Sequence, residues 1–160
     1  MVDYYSNYFE ADKLESNTAG GIAKKLHKLF SVHGIPNQLI SDNMPFNTQE
    51  FMEFAASYEF EVITSLPGYP QSNDKAENAI KTAKSIIKKA KQACTDIYLS
   101  LLDWRNTPSE EMSSSPTQRM FGRRTRTLLP TTCQLLKPKI QEDVKEKLLK
   151  QKSKQTRYYN

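Results

Sequence analysis

Two carboxylates and a row of ammonium groups hold the chemistry on offer in this sequence. Asp42 ends the short apolar run Leu39-Ile40-Ser41, and Glu77 falls 35 positions later, in the first turns of a lysine-bearing stretch. Asp74, Glu77, Lys81, Lys84, Lys88 and Lys91 recur at three- and four-residue steps, which sets them on one face of a helix. A carboxylate at the head of a row of cations suits a metal ligand beside a phosphate track. The plain alternative is an i,i+4 ion pair between Glu77 and Lys81, stabilising a solvated helix by about 0.2–0.5 kcal/mol. A helix-like run and a strand-like run lie between Asp42 and Glu77, so the chain has room to return and set the two side by side.

A second basic group follows downstream. Arg119, Arg123, Arg124 and Arg126 gather around Gly122, dense enough for phosphate binding, with a solvated loop as the alternative. His27 and His33 have no nearby cysteine or carboxylate to complete a metal set and read as surface or half-buried residues. Cys94 and Cys133 are too few and too far apart for a disulfide framework or a zinc site, which fits a reducing, intracellular compartment. No apolar run approaches a membrane span, no signal peptide is visible and no internal repeat is present.

The elements that must position these groups can be read in order. Tyr4, Tyr5, Tyr8 and Phe9 favour two short strands with a bend at Ser6-Asn7. Residues 17–33 read as a helix capped by Asn17 or Thr18, burying Ile22, Leu26, Leu29 and Phe30, weakened by Gly20 and Gly21, and ended by Gly34 and Pro36. Residues 38–41 form a buried strand that delivers Asp42. Asn47 with Glu50 resembles a capping box for a helix burying Phe51, Phe54, Ala55 and Tyr58, and residues 60–64 make the next strand. Pro67, Gly68 and Pro70 then break the chain, and Asn73 or Asp74 caps the lysine-bearing helix. Its expected buried stripe is Ala76, Ala79, Ile80, Ala83, Ile87, Ala90 and Cys94. The helix breaks near residues 94–96. A further helix at 97–105 anchors Trp104 in the core, residues 113–116 form an exposed linker, and residues 128–138 a proline-punctuated connector. Residues 141–155 form an exposed helix or a disordered tail.

Three separated segments, ISDNMPFNTQEF at 40–51, TSLPGYPQSNDKAENAIKTAK at 64–84 and WRNTPSEEMSSSPTQRMFGRRTRTLLP at 104–130, resemble the catalytic core of gypsy-type LTR-retrotransposon integrases, relatives of retroviral integrases. The resemblance implies an α/β fold of the ribonuclease-H-like class, here missing its first strand and followed by a basic helical or disordered tail. It implies residues 1–108 as a truncated catalytic core, 109–136 as a basic linker and 137–160 as a lysine-rich terminal segment. The family holds two divalent ions, Mg²⁺ or Mn²⁺, with three carboxylates. Asp42 matches the second and Glu77 the third, while the first is expected upstream of Met1. Asp3 matches a non-catalytic position and is expected to support a turn. A metal pair about 3.5–4 Å apart activates the attacking hydroxyl and stabilises the leaving oxygen in polynucleotidyl transfer. DNA, or RNA, is the implied partner, with Asn43, Asn73, Lys81, Lys84, Lys88, Arg123, Arg124 and Arg126 as contacts. A homo-oligomer without membrane association and a nuclear location are implied as well.

Departures from the family pattern point toward inactivity. The usual Asp-Asn-Gly-Pro-Gln-Phe becomes Asp42-Asn43-Met44-Pro45-Phe46, one residue shorter, and Met44 in place of glycine predicts strain at a positive φ. Asp74 replaces a glycine, where it caps the helix or repels phosphate. An integrase-like strand transferase, inactive as written, is therefore expected. The alternative is a decayed or host-captured remnant that only binds nucleic acid or protein.

Composition is consistent with this. The chain has 160 residues, 38% of them hydrophobic, enough for one domain with a modest core. Its net charge of +5 is unevenly spread, with acidic residues in excess through Glu77 and basic residues in excess after it. The basic half is the expected nucleic-acid face, where lysine and arginine displace counterions.

Overall fold

A computed structural model describes residues 1–64, 74–109, 112–141 and 144–158, and divides the chain into two compact units, Ala11–Glu77 and Met1–Glu10 with Asn78–Asn160. The change from acidic to basic sequence falls at this same boundary.

In the unit Ala11–Glu77, α1 (Ala19–His33) starts where the Thr18 hydroxyl accepts the Gly21 N–H, and ends at Gly34, whose φ of 85° no β-carbon opposes. Gly21 is required rather than merely tolerated, because a β-carbon there would stand 2.9 Å from the Ser16 carbonyl. β1 (Gln38–Ser41) pairs in parallel with β2 (Glu61–Thr64), Ser41 opposite Thr64, with α2 (Gln49–Ser57) as the crossover. β1 is half-buried rather than fully buried, with only Ser41 buried. The α2 cap is Thr48, one residue later than Asn47, because its hydroxyl accepts the Phe51 N–H. Met44 has no positive φ, so the strain expected there is absent.

The apolar faces of α1 and α2 meet in one cluster. Ile22, Leu26, Phe30, Phe51, Ala55 and Phe60 are buried, and Leu39, Phe46, Phe54, Tyr58 and Val62 pack against them. Phe54 sits at the centre of the ring contacts, stacked on Phe30 and edge-on to Phe51 and Phe60. Each fully buried side chain of this size stabilises the fold by about 1.5–3 kcal/mol. His27 joins this aromatic set, its Nδ1 2.6 Å from the Tyr58 hydroxyl.

In the other unit, residues 1–10 turn back on themselves through a single antiparallel bridge, Val2 to Phe9, rather than two regular strands. The turn is tied by the Asp3 carboxylate, which accepts the Ser6 N–H at 2.6 Å and the Ser6 hydroxyl at 2.5 Å, with Asn7 at φ 58°. Asp3 thus has the turn-supporting role expected of it. α3 (Asp74–Gln92) crosses the boundary between the units. Most of its expected stripe turns inward: Ala83 and Ala90 are buried and Ala76, Ala79 and Ile87 half-buried, whereas Ile80 and Cys94 are exposed and Ile86 joins the inward side. Phe9, Ala83 and Leu101 form the cluster that draws Ile86 inward. Cys94 at φ 50° and the Thr95 N–H, donated to the Ala90 carbonyl, close α3. Asp96 then caps α4 (Ile97–Asn106), where Trp104 meets Phe9 at 4.6 Å between centroids.

The stretch 113–116, expected as an exposed linker, is largely buried. Ser115 and Gln118 form a capping box that opens α5 (Pro116–Phe121), and Ser114, Ser115 and Thr117 are all sequestered. The connector at 128–138 contains the short α6 (Cys133–Leu136). α7 (Val144–Tyr158) decides the terminal segment in favour of a helix.

Candidate nucleic-acid interface

α3 separates its residues cleanly by face. Lys81, Lys84, Lys88 and Lys91 are all exposed, as is Glu77 at the head of the row, while the alanine face is turned into the apolar cluster. The helix needs that burial, because its other face is too polar to be held by propensity alone. A row of exposed ammonium groups at about 5–6 Å Cβ spacing suits successive phosphates.

Asp42 is exposed and follows β1 directly. Since Ser41 pairs with Thr64, Asp42 leaves the carboxyl end of the sheet, the same end from which the chain runs on to Glu77. Parallel α/β sheets place their ligands at that end. Asn43 is half-buried, its carbonyl accepting the Asn47 N–H at 2.8 Å. Asn73 and the turn from Ser65 onwards lie outside the described residues, as does the side chain of Asp74. No three Asp, Glu, His or Cys side chains among the described residues come together as a metal-binding group. A two-metal centre needs oxygen ligands on both ions.

The arginine cluster divides. Arg123 and Arg126 are exposed, and Arg124 is half-buried with its Nε 3.4 Å from the Gln118 Oε1 and its backbone N–H donated to the Leu135 carbonyl. Arg119 is different: it is buried, and its guanidinium donates to the carbonyls of Ser6 and Ser114. Burial pulls its pKa below the usual arginine value, with Tyr5 acting the other way, yet an arginine so placed keeps its charge at neutral pH. It ties residues 1–10 to α5 rather than waiting for phosphate.

Arg105 and Asn106, within the third motif, have similar positioning roles that the sequence did not disclose. Arg105 donates to the Phe9 carbonyl and to Glu10 at 2.8 Å, and lies 4.8 Å over the Tyr8 ring. Burial raises the Tyr8 phenol pKa, opposed by Arg105 and assisted by Glu10. Buried Asn106 donates to the Leu102 carbonyl and the Thr125 hydroxyl and accepts the Thr125 N–H. The only signal for these roles was an arginine and an asparagine at the end of an apolar helix. Beside the lysine row, α3 and Trp104 of α4 also border an open cleft of about 340 Å³.

The chain is 34% identical over 152 residues to an uncharacterized protein of Caenorhabditis elegans, a match covering 88% of this chain and 12% of that protein. It is 29% identical over 92 residues to the Gag-Pro-Pol polyprotein of Mason-Pfizer monkey virus, covering 57% of this chain and 5% of the polyprotein. The chain thus spans a small fraction of the curated relatives it matches. No family model matches it. Among solved structures it resembles the simian T-cell lymphotropic virus intasome in complex with the PP2A regulatory subunit B56 gamma, with a TM-score of 0.67 at 18% identity, over 82% of this chain and 50% of that one. It also resembles the HTLV-2 integrase catalytic core in its trimeric form with magnesium, with a TM-score of 0.58 at 20% identity, over 74% and 80%. The α/β fold is that of a retroviral-like integrase catalytic core, as the three motifs predicted.

Proposed function

From a retroviral-like integrase-core fold we propose that this chain holds DNA along α3, with Lys81, Lys84 and Lys88 as the phosphate track. The observation that carries this reading is the division of α3 into an exposed lysine row and a buried alanine face. The buried alanine face sets the spacing of the lysine Cα atoms before DNA arrives, and the flexible lysine stems adjust to the phosphates. In this reading Asn43, Asn73, Arg123, Arg124 and Arg126 are further contacts to nucleic acid, DNA or RNA. The chain assembles as a homo-oligomer and works in the nucleus.

Asp42 and Glu77 are the residues that would hold Mg²⁺ or Mn²⁺ if a third carboxylate joined them, and such a metal supplies activation of the attacking hydroxyl. The described residues contain no such three-membered group. A second reading is a module that binds nucleic acid or a protein without catalysis. The two readings separate in one experiment. The chain is incubated with labelled duplex DNA and Mg²⁺ or Mn²⁺, and both retained and joined DNA are measured. We expect retention without joining. Joined products that disappear in Asp42→Asn would establish strand transfer instead, and no retention at all would remove the DNA-binding reading.

A further inference from the structure

The cleft beside the lysine row has a lining that a simple phosphate track does not require. Lys81, Thr82, Ser85, Ile86 and Lys89 of α3 form one wall and Trp104 of α4 the other. Lys81 belongs both to this cleft and to the exposed row, so the two surfaces are continuous. The helical spacing of 81, 85 and 89 brings two ammonium groups and a hydroxyl onto adjoining turns, with Thr82 adding a second hydroxyl. Opposite them is an indole already fixed by its contact with Phe9 at 4.6 Å. The cleft is an open groove of about 340 Å³, wide to solvent, so a ligand would lie along it rather than be enclosed.

Cations for a phosphate, hydroxyls for polar edges and an aromatic surface for stacking are the three needs of a single nucleotide. We infer that this cleft takes one unpaired nucleotide, its base against Trp104 and its phosphate between Lys81 and Lys89. This rests on the reading of α3 as the DNA-holding helix and extends it: duplex phosphates run along Lys81, Lys84 and Lys88, and a base leaving the duplex turns into the cleft at Lys81. Ile86 adds apolar surface for the base to lie against. Stacking is sequence-tolerant because every base has a π-face, so the cleft reads single-strandedness rather than base identity.

Trp104 is the single tryptophan of the sequence, which makes its fluorescence a direct report on the cleft. The full chain is titrated with a short single-stranded oligothymidylate, and duplex binding is followed in parallel by anisotropy. The expected result is saturable quenching whose half-saturation concentration rises about tenfold in Lys89→Ala, with duplex binding little changed. Lys89 is exposed, so this variant keeps its fold, which circular dichroism verifies. Absence of quenching with duplex binding intact overturns the cleft alone. Equal quenching by inorganic pyrophosphate, which has no base to stack, overturns it as well, as does unchanged quenching in Lys89→Ala. Loss of both signals in the unaltered chain overturns the cleft together with the α3 reading.

Discussion

Arg119 Nε donates to the Ser6 carbonyl at 2.8 Å, joining two residues 113 positions apart. The same guanidinium caps the carbonyl of Ser114, so one side chain fixes the turn at residues 3–6 and the start of α5. A positive charge in this position satisfies backbone acceptors that folding has removed from water.

Removing that strut separates architecture from DNA binding. Arg119→Ala leaves buried carbonyls unpaired and is expected to destabilise the chain by about 2–4 kcal/mol, read as a lowered urea midpoint. Arg123→Ala, at an exposed position, is expected to leave the midpoint unchanged. Equal midpoints for Arg119→Ala and the unaltered chain would show that the strut is dispensable.

Asn106 gives a sharper test, because it donates and accepts at once. Asn106→Asp keeps the acceptor for the Thr125 N–H but loses both donors and sets a carboxylate near the Leu102 carbonyl. A buried carboxyl in that setting has its folded pKa raised above its unfolded one. The variant is therefore expected to be about 2–3 kcal/mol less stable than the parent at neutral pH, with the deficit shrinking as pH falls through the raised pKa and the carboxyl regains a proton to donate. A deficit independent of pH would contradict this.

The Asp12–Lys25 contact at 2.9 Å makes a pH prediction of its own. The hydrogen bond from Lys25, then that from the Lys13 N–H, holds the Asp12 carboxyl below its usual pKa. Because the folded pKa is depressed, its contribution is present above the unfolded pKa and is lost as pH falls through the folded one. Asp12→Asn should therefore differ slightly from the parent in melting temperature at neutral pH and match it in strong acid. A difference that grows toward acid pH would reverse the sign and refute the assignment.

The parts of the fold legible in the sequence are those fixed by local rules. Thr18, Gly34 and the Ile22-Leu26-Phe30 spacing define α1, and the strand ending at Ser41 was visible from its apolar run. Asp96, placed in the predicted break, proved to be the cap of α4. The parts misread were decided by distant contacts. Ile86 is drawn inward by Phe9 and Leu101, from either side of α3 in sequence, while Ile80, expected inside, stays exposed. Ser114 and Ser115, polar and next to a proline, read as a linker, yet they are buried beneath Arg119. The lysine row was legible because exposure requires no partner. The Trp104 cleft was not, because its walls belong to two helices whose packing no local pattern states.

The central claim is that α3 holds DNA through its lysine row, and the salt dependence of binding tests it most directly. Affinity for a labelled duplex is measured from low to high salt for the unaltered chain and for Lys81→Ala/Lys84→Ala/Lys88→Ala. Each phosphate contact contributes about 0.9 to the slope of log K against log salt. We predict weaker binding by the triple variant at low salt and a slope shallower by about 2–3. An identical slope and affinity in the two proteins would place the DNA elsewhere and contradict the account.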